Sequence, residues 1–294
     1  MSSTKIKNVS MRILACLLLS GCHAAEYQQE QKALKVVATT SLIGSIVERV
    51  GGERVDVVTI IPSGMCPGHF DIKPGDVKML EKAQILLQHG FAGESFLNDM
   101  LNLVDNPELL KMTMNVEGNW MVPDIHIQAV DKIAEVLCQA DPGGSIFFKS
   151  AASNYKDEIK GLGMQIQAEA ERLTADRIRV ACSKMQTQFV EWLGFDIVTT
   201  FERPENLNPQ KFQRIIKKAR AGEVKLIIDN LQSGGKGGLP IAYETGGAHI
   251  ILTNFPLEYE GKVSYPKSLK ENADKLFKGL RKNKIDYFPK EAKK

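Results

Sequence analysis

Hydrophobic positions along this chain fall in short, near-continuous runs separated by amphipathic stretches. Eight runs stand out: LKVVATT (34–40), VDVVTII (55–61), ILLQHG (85–90), LKMTMNV (110–116), RIRVACS (177–183), FDIVTTF (195–201), VKLIIDN (224–230) and HIILTNF (249–255). Most are β-branched and do not alternate with polar residues, which predicts strands buried on both faces, as in a parallel sheet. Stretches such as PGDVKMLEKA and PQKFQRIIKKARAG predict the intervening helices, the second having Pro near its start and Gly at its end. The order is βαβα, four strands and then four more. Between the two sets lies a long polar segment, residues 142–177, with apolar residues at Ile159, Leu162, Met164, Ile166 and Leu173. Helix formers dominate it despite Gly161 and Gly163, so it reads as one long helix. The expected fold class is α/β: two Rossmann-like lobes, residues 34–141 and 178–294, each with a four-stranded parallel sheet, joined by the helix of 142–177.

Two such lobes leave a cleft between them, and ligands of open α/β sheets bind outside the carboxyl ends of the strands. That rule nominates His69 after the second strand, His89 ending the third, the Gly118–Trp120 turn after the fourth, and then Ser183, Glu202, Asp229 and Asn254.

The amino-terminal stretch changes the picture from a free protein to a tethered one. Lys5, Lys7 and Arg12 precede or flank the apolar run MRILACLLLSG, which leads to Cys22, the order of an export signal with a lipoprotein-like cleavage site. The expectation is a signal over residues 1–21, lipid on Cys22 and a polar tether over 22–33. The body would then be soluble and held at a membrane surface, facing the periplasm or exterior. The formal charge of +3 lies wholly in the signal, so the remainder is balanced and carries no electrostatic footprint for nucleic acid. Nothing in the pattern argues for an oligomer, and a monomer is expected.

Candidate chemistry begins with Cys66-x-x-His69. Thiolate and imidazole are donors zinc prefers, yet the spacing alone fits a turn equally well, and no second pair follows at finger-like spacing. His89 closes an apolar run and needs a hydrogen bond if buried. His126 opens an amphipathic segment and reads as a helix-surface residue, Cys138 and Cys182 as core residues, and Asp229 as a helix cap or the edge of a site. Glu202-Arg203-Pro204-Glu205 reads as a solvated loop, with Glu202 toward the cleft. Nucleophile-elbow, zinc-protease and Walker patterns are missing, so binding is expected rather than catalysis.

From about residue 34 to 290 the chain resembles the lipid-anchored solute-binding proteins of zinc and manganese ABC importers. The likeness rests on the run from VVATTSLIGSIVERVGGERVDVVTIIPSGMCPGHFDIKP to KAQILL, on NYKDEIKGL, LGFDIV and AYETGGAHIILTNFP, and on SYPKSLKENADKLFKGL. The resemblance implies two four-stranded lobes on one long helix, a permease and ATPase as partners, and a transition metal, zinc first and manganese next, as cargo. It also implies four metal-binding side chains. The first falls on His69; the second, two residues before Trp120, falls on Gly118. The third falls near Ser183, and the fourth near Asn254 or Thr253. One of four being kept, Cys66, His89 and Asp229 are the available substitutes, giving an expected metal set of His69, Cys66, His89 and Asp229 with Trp120 as a wall. The alternative, an organic or metal-chelate solute read through Trp120, Ser183, Glu202 and Asn254, uses the same cleft with a degenerate metal site. A surface adhesin is a third possibility.

Overall fold

A computed structural model describes residues 32–287, and the expected signal, Cys22 and most of the tether lie outside them. The first sheet holds β1 (Leu34–Ala38), β2 (Val55–Thr59), β3 (Ile85–Gln88) and β4 (Leu110–Thr113) in the order β2-β1-β3-β4, all parallel. The second holds β5 (Arg179–Ser183), β6 (Asp196–Phe201), β7 (Leu226–Asn230) and β8 (Ala248–Leu252) in the equivalent order β6-β5-β7-β8, again parallel. The α/β fold class read from the sequence is therefore the fold observed. A small antiparallel hairpin, β9 (Glu258–Tyr259) with β10 (Lys262–Val263), was not legible in the pattern.

Position in the sheet decides burial. Inner strands β3 and β7 are buried nearly throughout, whereas edge strand β2 is buried at no position and alternates between half-buried and exposed. An edge strand has a neighbour on one side only, so fewer of its side chains are covered.

Helices α1 (Ser41–Gly51), α2 (Pro74–Lys82), α3 (Phe96–Leu101) and α4 (Pro123–Ala140) belong to the first lobe. Helix α5 (Ser145–Arg172) is the long connector, followed by α6 (Thr187–Trp192), α7 (Pro209–Ala221), α8 (Leu239–Thr245) and α9 (Tyr265–Tyr287). Local signals start them where expected: the Asp76 carboxylate accepts from Lys73 N at 2.8 Å at the head of α2, and Asn208 accepts from Lys211 N at 2.8 Å at the head of α7. Among the described residues no helix is long and apolar enough to cross a membrane.

At about 1.5 Å per residue, the 28 residues of α5 span roughly 42 Å, enough to back both lobes. Its buried residues Phe148, Ala152, Tyr155, Ile159 and Ile166 join a single apolar cluster that includes Ile43, Ile46 and Ile133 from one lobe and Cys182, Phe189, Leu226 and Leu276 from the other. Hydrogen bonds stitch the lobes as well: Tyr265 Oη donates to the Met121 carbonyl at 3.1 Å, and Ser41 Oγ to the Pro256 carbonyl at 2.9 Å.

His126 departs from its expected surface position. It is fully buried in α4, stacked on Tyr265 with ring centroids 3.5 Å apart and 3.3 Å from Tyr155 Oη. The helix carries a second apolar face toward α5 and α9, which an amphipathic reading of α4 alone does not anticipate.

Candidate functional site

The carboxyl ends of both sheets face one another across a cleft of about 840 Å³. From the first lobe it is lined by His89, Phe91 and the 115–120 turn; from the second, by Lys184, Arg203, Asn230, Gln232 and Asn254. The volume lies within the ~300–1,000 Å³ of small-molecule sites.

His89 is held with care. Its Nε2 lies 2.6 Å from Thr40 Oγ1, and its ring packs against Trp120, centroids 4.3 Å apart, and Phe91, 5.1 Å apart. Behind it the buried Glu94 carboxylate accepts from Gly90 N at 2.8 Å, from His89 N at 3.2 Å and from the Thr39 hydroxyl, fixing the backbone of the turn. Burial pushes the His89 pKa down to about 3, so the imidazole is neutral at physiological pH, the form a metal requires. Burial raises the Glu94 pKa, against the pull of those hydrogen bonds.

The other expected metal donors are not gathered around it. His69 ends a 3-10 turn (Pro67–His69) and is exposed, outside the cleft lining, whereas its neighbours Pro67 and Gly68 line it. The loop is seated by Phe70 and Ile72, which pack on the cluster of Val37 in β1, Leu86 in β3 and Leu80 in α2, Phe70 lying 5.0 Å from Phe96. That seating directs His69 to solvent. Cys66 is buried with its Sγ beside Gly68 rather than in the cleft lining.

Asp229 lies on the opposite face of β7. It is 1 % exposed and fully engaged: Oδ2 accepts from Gly238 N at 2.7 Å and His249 Nε2 at 3.2 Å, and Oδ1 from Asn230 N at 2.9 Å. Successive residues of a strand point to opposite faces, so the cleft receives Asn230 and not Asp229. Among the described residues no group of three or more His, Cys, Asp or Glu could hold a metal ion. Of the four expected donors His69, Cys66, His89 and Asp229, the structure places only His89 in the cleft lining.

The expected solute-binding residues divide in the same way. Trp120, Gly118 and Asn254 line the cleft. Trp120 donates to the Val116 carbonyl at 2.9 Å, and Asn119 Nδ2 reaches Asn254 Oδ1 at 3.3 Å across the lobes. Gly118 has φ of +104°, a backbone conformation strained for any residue with a side chain, and a Cβ there would stand 2.7 Å from the tip of Ile125, which would have to shift. Ser183 and Glu202 are not in the cleft but border a separate pocket of about 220 Å³. Glu202 is occupied by Lys184 at 2.7 Å and Lys211 at 3.2 Å, which also hold its carboxyl below the usual range.

Arg203 takes the place expected of Glu202. It lines the cleft from the second lobe, its NH1 lies 3.9 Å from where a Cβ of Gly68 in the first lobe would stand, and its nearest acid is Glu205 at 4.0 Å. The Nε atom is buried and hydrogen-bonds nothing among the described residues. Cleft residues Gln188 and Gln232 also escape the sequence reading. No motif marks them, and only their places just beyond β5 and β7 could have found them.

Comparisons with known proteins agree with this architecture. A family model described as "Zinc-uptake complex component A periplasmic" matches residues 36–279. The manganese-binding lipoprotein MntA of Halalkalibacterium halodurans is 19 % identical over 288 residues, covering 91 % of this chain and 96 % of its own. The manganese ABC transporter substrate-binding lipoprotein PsaA of Streptococcus pneumoniae is 21 % identical, covering 95 % and 99 %. Among solved structures, FpvC of Pseudomonas aeruginosa in complex with Mn2+ superposes with a TM-score of 0.74 at 19 % identity, over 86 % of this chain and all of that one. The Mn-bound periplasmic metal-binding protein of Candidatus Liberibacter asiaticus gives 0.73 at 18 %, over 84 % and 99 %. With the family match spanning both lobes and the cleft between them, the chain belongs to the zinc-uptake complex component A family.

Proposed function

We propose that this protein is the solute-binding component of an ABC importer, taking up a divalent transition metal in the cleft between its lobes and presenting it to a membrane permease driven by an ATPase. The observation that carries the reading is His89: a neutral, oriented imidazole at the carboxyl end of a strand, inside the interlobe cleft of a chain in a metal-uptake family. The family is one of solute-binding components and not of enzymes. Relatives named as manganese-binding lipoproteins support cargo of this class and anchoring at the cell envelope, here through lipid on Cys22. Between zinc and manganese, a nitrogen donor favours zinc, because manganese prefers oxygen.

The test is elemental analysis of the protein isolated under native conditions from the cell envelope. One equivalent of zinc or another divalent transition metal per chain, absent from His89→Ala, is the expected result. Metal-free wild-type protein would overturn the reading.

A further inference from the structure

The cleft is poor in side-chain donors for a bare ion. Its one lining carboxylate, Glu117, is exposed, and among the described residues no three metal-ligating side chains converge. What converges instead is a guanidinium and a set of amides. Arg203 offers a buried Nε–H without a hydrogen-bond partner among the described residues, and reaches toward Gly68 on the opposite wall. Asn119, Asn230, Gln232 and Asn254 line the wall; the first three are held at both ends of their amides by bonds within the protein, which leaves Asn254 to meet a solute, and Trp120 supplies an aromatic wall. Lys184, the other lining cation, is engaged by Glu202 at 2.7 Å, whereas the nearest acid to Arg203 stands at 4.0 Å, so Arg203 is the less neutralised cation of the lining.

A divalent cation entering alone would meet that positive charge with only the exposed Glu117 in the lining, and Glu205 at 4.0 Å from Arg203, to offset it. A planar guanidinium fork matches a carboxylate instead, and the exposed part of the Arg203 side chain is its approach from the cleft.

Resting on the import reading above, we propose that the cleft takes its metal as a complex with a carboxylate-bearing organic chelator. Arg203 receives a carboxylate of the chelator, the Asn254 amide meets another of its oxygens, and His89 offers a single imidazole to the metal while the chelator supplies the other donors. The loss of side-chain ligands at Gly118, and the turning away of His69 and Asp229, then follow from a cargo that brings its own coordination shell.

Calorimetric titration of the metal-free protein with zinc chloride, with citrate and with premixed equimolar zinc citrate tests this. Zinc citrate should bind at least about tenfold more tightly than zinc chloride or citrate. Arg203→Gln should weaken zinc citrate by at least about tenfold, and Arg203→Lys, which keeps the charge but loses the fork, should recover only part of it; thermal melts confirm that both variants fold. Zinc chloride binding as tightly as zinc citrate, or Arg203→Gln at wild-type affinity for the complex, would overturn the chelate proposal and leave the import reading standing. Citrate alone matching zinc citrate, or no binding of any of the three, would overturn both.

Discussion

Folding removes two imidazoles, His89 and His126, from water, and burial pushes the pKa of each down to about 3. In the unfolded chain both take up protons near pH 6.5, so below that value the unfolded state holds more protons than the native one. Their contribution is complete above pH 6.5 and is lost as pH falls toward 3, at about 1.4 kcal/mol per pH unit for each group. Glu94, whose pKa is raised, acts in the opposite direction by accepting its proton first in the native state. Urea unfolding at pH 7, 6 and 5 should therefore show a steady loss of stability on acidification. His126→Phe, which keeps the stack on Tyr265 but leaves Tyr155 Oη without this partner, should cost about 1–2 kcal/mol at pH 7 and show a shallower acid slope. An unchanged slope would contradict the burial argument. At the same scale, His69→Ala should alter metal affinity by less than about twofold in titration calorimetry, since that side chain stands outside the cleft. His69 and His89 look alike in the sequence as polar residues after strands. They differ because Phe70 and Ile72 anchor the loop around His69, whereas Thr40, Trp120 and Glu94 build a socket around His89.

Elements were the most legible level. Eight apolar runs became eight parallel strands, and the long polar segment became α5, because burial on both faces and sustained helix-forming composition leave signatures that short segments cannot hide. The facing of a buried strand left none. In VKLIIDN every residue of β7 is buried, so no alternation marks which of Asp229 and Asn230 faces the cleft. Packing of Ile227 on the α7–α8 side settles it, with Asp229 on the same face as Ile227 and Asn230 opposite. The turn after β4 is the converse case, since Gly118 announces a positive-φ position directly. Gly118→His, which places an imidazole where the resemblance puts a metal ligand, should gain no metal affinity and should cost about 1–3 kcal/mol, because the positive-φ backbone opposes a side chain. Calorimetry and urea melts on that variant decide the point; a tight new metal site would refute it.

The apolar cluster that runs through α5 into both lobes gives the described body one shared core. Differential scanning calorimetry should accordingly give a single transition with matching calorimetric and van't Hoff enthalpies; two resolved transitions would count against a shared core. The cleft lies within this body, and the chemistry of its wall meets the cargo. That wall carries the central claim, and anomalous diffraction at the zinc edge from crystals grown with zinc citrate tests it most directly. The account predicts one peak between the lobes at about 2.0–2.1 Å from a His89 ring nitrogen, with chelator density reaching Arg203. A peak at His69 or Cys66, or an empty cleft, would contradict it.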